Sequence, residues 1–447
     1  MGTEWFESAK LGIFIHWGIY AVEGTSESWA FASGGMSYND YMKQKNGFTA
    51  KNYDPKAWAE LFRKAGAKYA VLTSKHHDGV ALFDTKYSEL NVVKSTPAKR
   101  DLIGPYCDAM REAGLKVGLY FTHTDWSSDE HLSVICDMTP DEVRAARAKE
   151  FCFTERWRNV LARPAEEIDQ SPERRQSWDK FMKFYFSQLN EVVNNYGPLD
   201  VFWGDGMFEV KGYDWNKDKI RELIKKANPD TIISRLPGFD DIATPEVRAV
   251  CSRPGKGPWE YCTPINGSWG NRPSDTNYKS YIQVIRLFCD VIALGGNLLL
   301  DVGPLEDGSI DKRQEDVLLK LGKFIKTNEE AVYETRQGLD WRFYNQGSVL
   351  SRDGKTLYLF VHDIPRDGIM LKGVDTPYRQ ATVLSTGQKL EIQKFFNGNY
   401  GCYWLHLKPH MVDPEMPVVV KFEFEEPVKA VDKWGILWEN QVPAAPK

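Results

Sequence analysis

For its first three-quarters the chain alternates short, unbroken apolar runs with amphipathic stretches. The run LGIFIHWG (11–18) has the look of a fully buried strand. The clearest unit is NYDPKAWAELFRKAGAKYAVLTSKHHDG. Here Asp54 can cap a helix, Pro55 fits its first turn, and Trp58, Leu61, Phe62 and Ala65 share one face. Gly66 ends that helix, and YAVLTS (69–74) follows as a second buried strand. The same alternation predicts strands at Val117–Phe121, at 201–203, at TIISR (231–235) and at Asn297–Val302, with a last helix over roughly Lys312–Thr327. Repeated helix–strand units with two-faced apolar strands predict a parallel sheet, and their number fits an α/β fold of the closed (β/α)-barrel, TIM-like kind. Segments 127–175 and 236–275 have few periodic apolar positions and are expected as insertions or loops over the barrel mouth.

Beyond about residue 335 the period shortens to two. SVLSRDGKTLYLFVHD, ATVLSTGQKLEIQKFF, CYWLHLKP and PVVVKFEFEE alternate apolar and polar positions between Asp-Gly, Thr-Gly and Asn-Gly turns, which predicts a C-terminal antiparallel β-sandwich. The expected domains are therefore a barrel over 1–335 and a sandwich over 336–447.

Composition narrows the function. A net charge of −5 without a basic run argues against nucleic acid as a partner. No apolar run approaches the roughly 20 residues of a membrane helix, so no membrane insertion is expected. Seven scattered cysteines show neither CxxC nor zinc-finger spacing. No GxGxxG follows an early strand, which removes a dinucleotide site, and Gly295-Gly296 before LLLDVGP lacks the lysine and the helix of a phosphate loop. The N-terminus has no apolar signal segment. The compartment stays open: periplasmic or secreted if a leader has been removed, cytoplasmic otherwise. Fifteen Trp, 20 Tyr and 23 Phe suit a protein that stacks flat sugar faces, and equally fill cores.

In a parallel barrel the chemistry sits at the carboxyl ends of the strands. Those positions hold His16-Trp17, His76-His77-Asp78, Tyr120 with His123, Trp203 with Asp205, Arg235 and Asp301. Each alone could be structural; their joint placement is the signal. Neighbouring histidines on a regular strand face opposite ways, so His76 and His77 converge only if the strand breaks there. Without HxH or a bridging Lys or Glu, no metal site is expected. Asp301 is expected to be structural. Asp205, between Gly204 and Gly206 at the end of an apolar strand, is a natural nucleophile, and the glycines are expected to clear space beside it. Glycoside hydrolysis needs a second carboxyl group as acid. The stretch FDDIATPEVRAVCSRPGKGPWEYCTPINGSWG offers Asp240, Asp241, Glu246 and Glu260. Glu260 is flanked by Trp259 and Tyr261, and an apolar surround raises a carboxyl pKa; Glu246, after Pro245 in a loop, is a candidate too.

The motifs WFESAKLGIFIHWGIYAV, KHHDGV, TPAKRDLIGP, LDVFWGDG, TPE…WEYCTPINGSWG and GGNLLLDVGPLEDGSI resemble the α-L-fucosidases of glycoside hydrolase family 29, above all bacterial members. The resemblance implies a barrel with a C-terminal sandwich, no cofactor or metal, a fucosylated oligosaccharide or glycan as substrate, and hydrolysis with retention. It implies Asp205 as nucleophile. It implies His16, His76, His77, Tyr120, Trp203 and Arg235 as fucose-site residues, with Glu27, Trp29 and Trp269. The Glu of WEYC, Glu260, is the expected acid/base; Glu246 of TPE is the alternative. Rival expectations are an α-L-galactosidase-like activity on the same site, a non-catalytic carbohydrate-binding barrel, and a metal-dependent hydrolase.

Overall fold

The computed structural model describes residues 3–147, 149, 153–207, 212–246, 252–364, 366, 368–374, 376–395, 401–413 and 415–430. Among these residues seven parallel strands curl into one sheet: β1 (Leu11–Ile15), β2 (Tyr69–Lys75), β3 (Lys116–Thr122), β4 (Val201–Asp205), β5 (Ile232–Ser234), β6 (Glu260–Pro264) and β7 (Asn297–Val302). Their spatial order is β5-β4-β3-β2-β1-β7-β6. Between the two edges runs an irregular stretch, 242–246. It bridges Ser234 of β5 through Ile242, Trp259 through Ala243, and Cys262 of β6 through Glu246, all in parallel sense. The short, interrupted run ATPE cannot sustain a full ladder, since Pro245 has no N–H to give, yet it spans the gap.

Most of the strands form because they are apolar on both faces, which suits a sheet covered outside by helices and filled inside by side chains. Period two decides the filling. Phe14, Tyr69, Val71, Tyr120, Val201, Trp203, Cys262 and Leu299 form the inward cluster. The intervening positions pack outward against helices such as Pro55–Lys64, where Asp54 caps Lys56 and Ala57 at 3.0 and 3.1 Å and Trp58 and Phe62 are buried. Each such aromatic contributes roughly 1.5–3 kcal/mol by leaving water.

Segment 127–175, expected as an insertion or loop, contains the helices Asp129–Ile135, Pro140–Arg147 and Phe153–Ala162. They are held from outside, as where His131 stacks on Phe181 of the long helix Pro172–Asn194 at 4.3 Å. Segment 236–275 likewise contains a barrel strand, β6. Its sequence EYCTP carries no apolar run, because its inward positions are Glu260 and Cys262, and the lumen there is partly polar.

The C-terminal part has a five-stranded antiparallel sheet and a three-stranded one. In the first, Thr356–Val361 lies between Ser348–Ser351 and Val418–Phe424, and the outer strands are Thr335–Gln337 and Tyr378–Val383. The second is built of Ile369–Lys372, Cys402–His406 and Glu391–Phe395. Leu357, Leu359, Val420 and Phe422 meet Leu371, Tyr403 and Leu405 between them. The expected Asn397-Gly398 turn and the tail 431–447 lie outside the described residues. Glu330, just past the barrel's last long helix, accepts from Tyr358 and Lys421 of the larger sheet at 2.6 and 2.5 Å. Cys107, Cys136, Cys262, Cys289 and Cys402 are free thiols; Cys152 and Cys251 lie outside the described residues. No helix among the described residues is long and apolar enough to cross a membrane.

Candidate active site

A pocket of about 210 Å³ opens at the carboxyl ends of the strands. Every residue expected to bind or act on a sugar lines it except Glu260. Phe14 lines it too, and sequence reasoning passed it over as core. Alternation held the signal: Phe14 stands two before His16 on β1, hence on the same inward face. Its ring lies 4.5 Å from His16 and 4.8 Å from Trp203.

The adjacent histidines both reach the pocket because β2 ends at Lys75, after a register shift against β3 between Thr73 and Lys75. His76 Nδ1 pairs with Ser28 Oγ at 2.6 Å, and its ring stacks on Tyr120. Ser28 thus steadies His76 while its neighbours Glu27 and Trp29 both line the pocket. Glu27 accepts from Ser268 and from Gly270 N–H, and burial raises its pKa. His77 Nδ1 pairs with Thr122 Oγ1 at 2.6 Å. That hydroxyl gives its proton to Thr124 O at 2.8 Å, so His77 Nδ1 carries a hydrogen and Nε2 keeps its lone pair. Nε2 lies 3.6 Å from Asp205. His16 Nδ1 pairs with Asp301 Oδ1 at 2.7 Å, which orients the His16 ring; Asp301 is structural in that sense. Burial holds His77 down to about 3 and keeps His16 and His76 well below the ordinary imidazole range. All three are neutral hydrogen-bonding groups. Among the described residues no cluster of three or more His, Cys, Asp or Glu could hold a metal ion.

Asp205 ends β4 with its side chain 27% exposed. Tyr120 donates to its Oδ2 at 3.1 Å, and Arg235 approaches Oδ1 at 3.5 Å. Arg235 also donates to Glu246 Oε2 at 2.5 Å. Its guanidinium rests on the Trp203 ring, 4.7 Å from the centroid. Burial works against the Arg235 charge, but Asp205 and Glu246 outweigh it and raise its pKa. The backbone at Arg235 is left-handed, φ 58°, a conformation a bulky residue seldom adopts without a positional demand. Glu246, on the closing stretch, is 43% exposed.

The flanking glycines do something other than expected. A Cβ on Gly204 would sit 2.2 Å from His123 Nε2. His123 points out of the barrel and pairs with Tyr185 at 2.7 Å, so Gly204 makes room for helix packing. Gly206 has φ 69°, and a Cβ there would press on His77 and Thr124. Gly204→Ala is therefore expected to destabilise the fold by about 1–3 kcal/mol, seen as a lower melting temperature.

Glu260 lies away from the pocket. It opens β6, at the end of the strand away from the mouth, and is fully buried. Tyr69 donates to its Oε2 at 2.6 Å and Trp203 Nε1 to its Oε1 at 2.9 Å. Asp240 accepts from Leu236 N–H, and Asp241 pairs with Arg221 and Lys225; neither lines the pocket. Burial pushes Glu260 from 4.5 to about 7, against the bonds from Tyr69 and Trp203 and the charge of Arg235. The folded chain then holds a proton on Glu260 that the unfolded chain has lost, so this group's contribution to stability falls as pH rises from about 4.5 to about 7. Glu260→Gln does not titrate. Its melting temperature is expected to gain on wild type across that window, by up to about 3 kcal/mol in stability terms.

A deep carboxylate against aromatic rings, a second carboxylate at the rim and one cation between them make up the set of groups that glycoside hydrolysis requires. Such a barrel falls in the glycoside hydrolase class. Comparison with known proteins agrees. Residues 2–330 match the family model described as Alpha-L-fucosidase. An Alpha-L-fucosidase of Branchiostoma floridae is 29% identical over 420 residues, 86% of this chain and 84% of that protein. The structure of alpha-L-fucosidase isoenzyme 1 from Paenibacillus thiaminolyticus is 29% identical with a TM-score of 0.78, covering 95% of this chain and 99% of that one. A Thermotoga maritima alpha-fucosidase in complex with a mechanism-based inhibitor is 27% identical with a TM-score of 0.71, covering 94% and 96%. This chain belongs to the α-L-fucosidase family, glycoside hydrolase family 29.

Proposed function

We propose that the protein releases terminal α-L-fucosyl groups from glycans with retention, Asp205 acting as nucleophile and Glu246 as acid/base. The observation that carries this is Arg235, whose two terminal nitrogens reach Asp205 and Glu246 separately inside one sugar-sized pocket. Two carboxylates spanned by one guanidinium suit the retaining separation of about 5–5.5 Å better than the wider inverting one. Depth supports the division of roles: Asp205 stands among Tyr120, His77 and Trp203, whereas Glu246 stands at the rim, where a leaving group departs and water arrives. The Thermotoga maritima relative binds a mechanism-based inhibitor, which also supports the reading.

An Asp205 oxygen bonds to C1 while the C1–O bond to the leaving group breaks, and Glu246 gives its proton to that oxygen. Water then bonds to C1 and loses its proton to Glu246, while the ester bond to Asp205 breaks. Two inversions restore the α configuration. Neutral His16, His76 and His77 bind hydroxyls, and the walls of Phe14, Trp203 and Trp269 suit the apolar face and methyl group of a 6-deoxy sugar.

Proton NMR of the first product from an aryl α-L-fucoside tests this. The α anomer should appear first. The β anomer first, or no turnover, sinks the proposal; faster turnover of the matching α-L-galactoside would favour the galactosidase alternative.

A further inference from the structure

Below the sugar pocket lies a buried carboxylate that the proposed reaction does not use. Glu260 sits in the barrel lumen with both oxygens engaged, one by the Tyr69 hydroxyl and the other by the Trp203 indole N–H. The geometry is built for this clamp. Tyr69 crosses the lumen over Gly12, where a Cβ would come within 2.3 Å of the phenol ring. Trp203 in turn forms the pocket floor. Tyr120 stacks on it at 5.5 Å, Phe14 packs at 4.8 Å, and the Arg235 guanidinium lies over its face. Tyr120 and Arg235 both hold Asp205, and Arg235 also holds Glu246.

We propose that Glu260 is a positioning residue: by fixing the Trp203 indole from beneath, it sets the platform on which Arg235 and Tyr120 align the two pocket carboxylates. The proposal rests on the fucosidase reading above. An indole can slide or tilt within a flat aromatic stack, because stacking has little directional preference along the ring plane; one in-plane hydrogen bond to a fixed acceptor removes that freedom. The acceptor need not be charged. Burial favours the neutral acid near pH 7, and a neutral carboxyl still offers a carbonyl oxygen to the indole.

That property separates positioning from proton transfer. Glu260→Gln keeps an acceptor for Trp203 and can donate to Tyr69, but it cannot act as an acid. Glu260→Met keeps the length and removes the acceptor. On an aryl α-L-fucoside, Glu260→Gln is expected to stay within about threefold of wild-type kcat/KM, and Glu260→Met to lose between about tenfold and a hundredfold, mostly in kcat, as a small misplacement of reacting groups does. In a double-mutant cycle, Glu260→Met should cost little in a Trp203→Phe background, which already lacks the N–H. Tyr69→Phe removes only the second clamp; its expected loss is smaller than that of Glu260→Met, and it carries the test if the Met variant does not fold. Glu260→Gln as inactive as Glu260→Met, with azide restoring either, would show Glu260 transferring protons and overturn the proposal. Additive losses with Trp203→Phe, or wild-type rates in Glu260→Met, would overturn it too. Wild-type protein that turns over no fucoside would instead bring down the functional reading, and this proposal with it.

Discussion

Replacing Asp205 by alanine is expected to lower kcat by three or more orders of magnitude while the melting temperature stays within a few degrees of wild type. The size follows from the role proposed: without the attacking oxygen no covalent intermediate forms, and removal of a nucleophile leaves only what binding and the remaining groups supply. The small effect on folding follows from placement. The Asp205 side chain is partly exposed, and the bond from its carbonyl to His123 N–H, 2.7 Å, survives the substitution. Arg235 keeps Glu246 as a partner, so no buried charge is left alone. Steady-state kinetics with thermal melts check both halves. Trapping with a slow 2-fluoro fucoside and mapping the label by mass spectrometry checks the residue itself; a label elsewhere, or near-normal turnover in the alanine variant, removes Asp205 from the role.

Glu246→Ala is the second large effect. For substrates with a poor leaving group, kcat/KM is expected to fall by about 10²–10⁴-fold, the usual scale of a positioned acid or base. An activated aryl fucoside leaves without protonation, so its first step should suffer less and the fucosyl-enzyme should accumulate. Azide needs no general base and should restore the second step, giving a β-fucosyl azide. The same assay on Glu260→Gln should show no response, because the bonds to Tyr69 and Trp203 keep that carboxyl below the pocket. Azide rescue at position 260 and none at 246 would reverse the assignment.

How far these groups were legible in the sequence depended on the range of the forces involved. The strands YAVLTS and NLLLDV announce themselves because each carries an unbroken apolar run, as burial on both faces favours. The helix after Asp54 announces itself through its cap and its apolar face. Strand-end positions then select His16, His76, His77, Tyr120, Trp203, Asp205 and Arg235 as candidates, since a parallel barrel delivers its carboxyl ends to one mouth. Strand β6 escaped notice because Glu260 and Cys262 replace the expected apolar inward residues, and its polarity is satisfied by Tyr69 and Trp203, far away in the chain.

The sequence by itself determined the barrel's alternation, the change of period at the C-terminal sheets and the roster of side chains at the strand ends, because these depend on local periodicity and on which faces must avoid water. Only the tertiary structure placed Glu246 in the pocket and Glu260 beneath it, set the task of the two glycines beside Asp205, and made His76 and His77 converge. Each of those turns on contact across the barrel. The break after Lys75 turns both imidazoles to the mouth, the stretch 242–246 carries Glu246 to Arg235, and β6 sinks Glu260 into the lumen. Such contacts are set by strand order and register, which no run of neighbouring residues encodes.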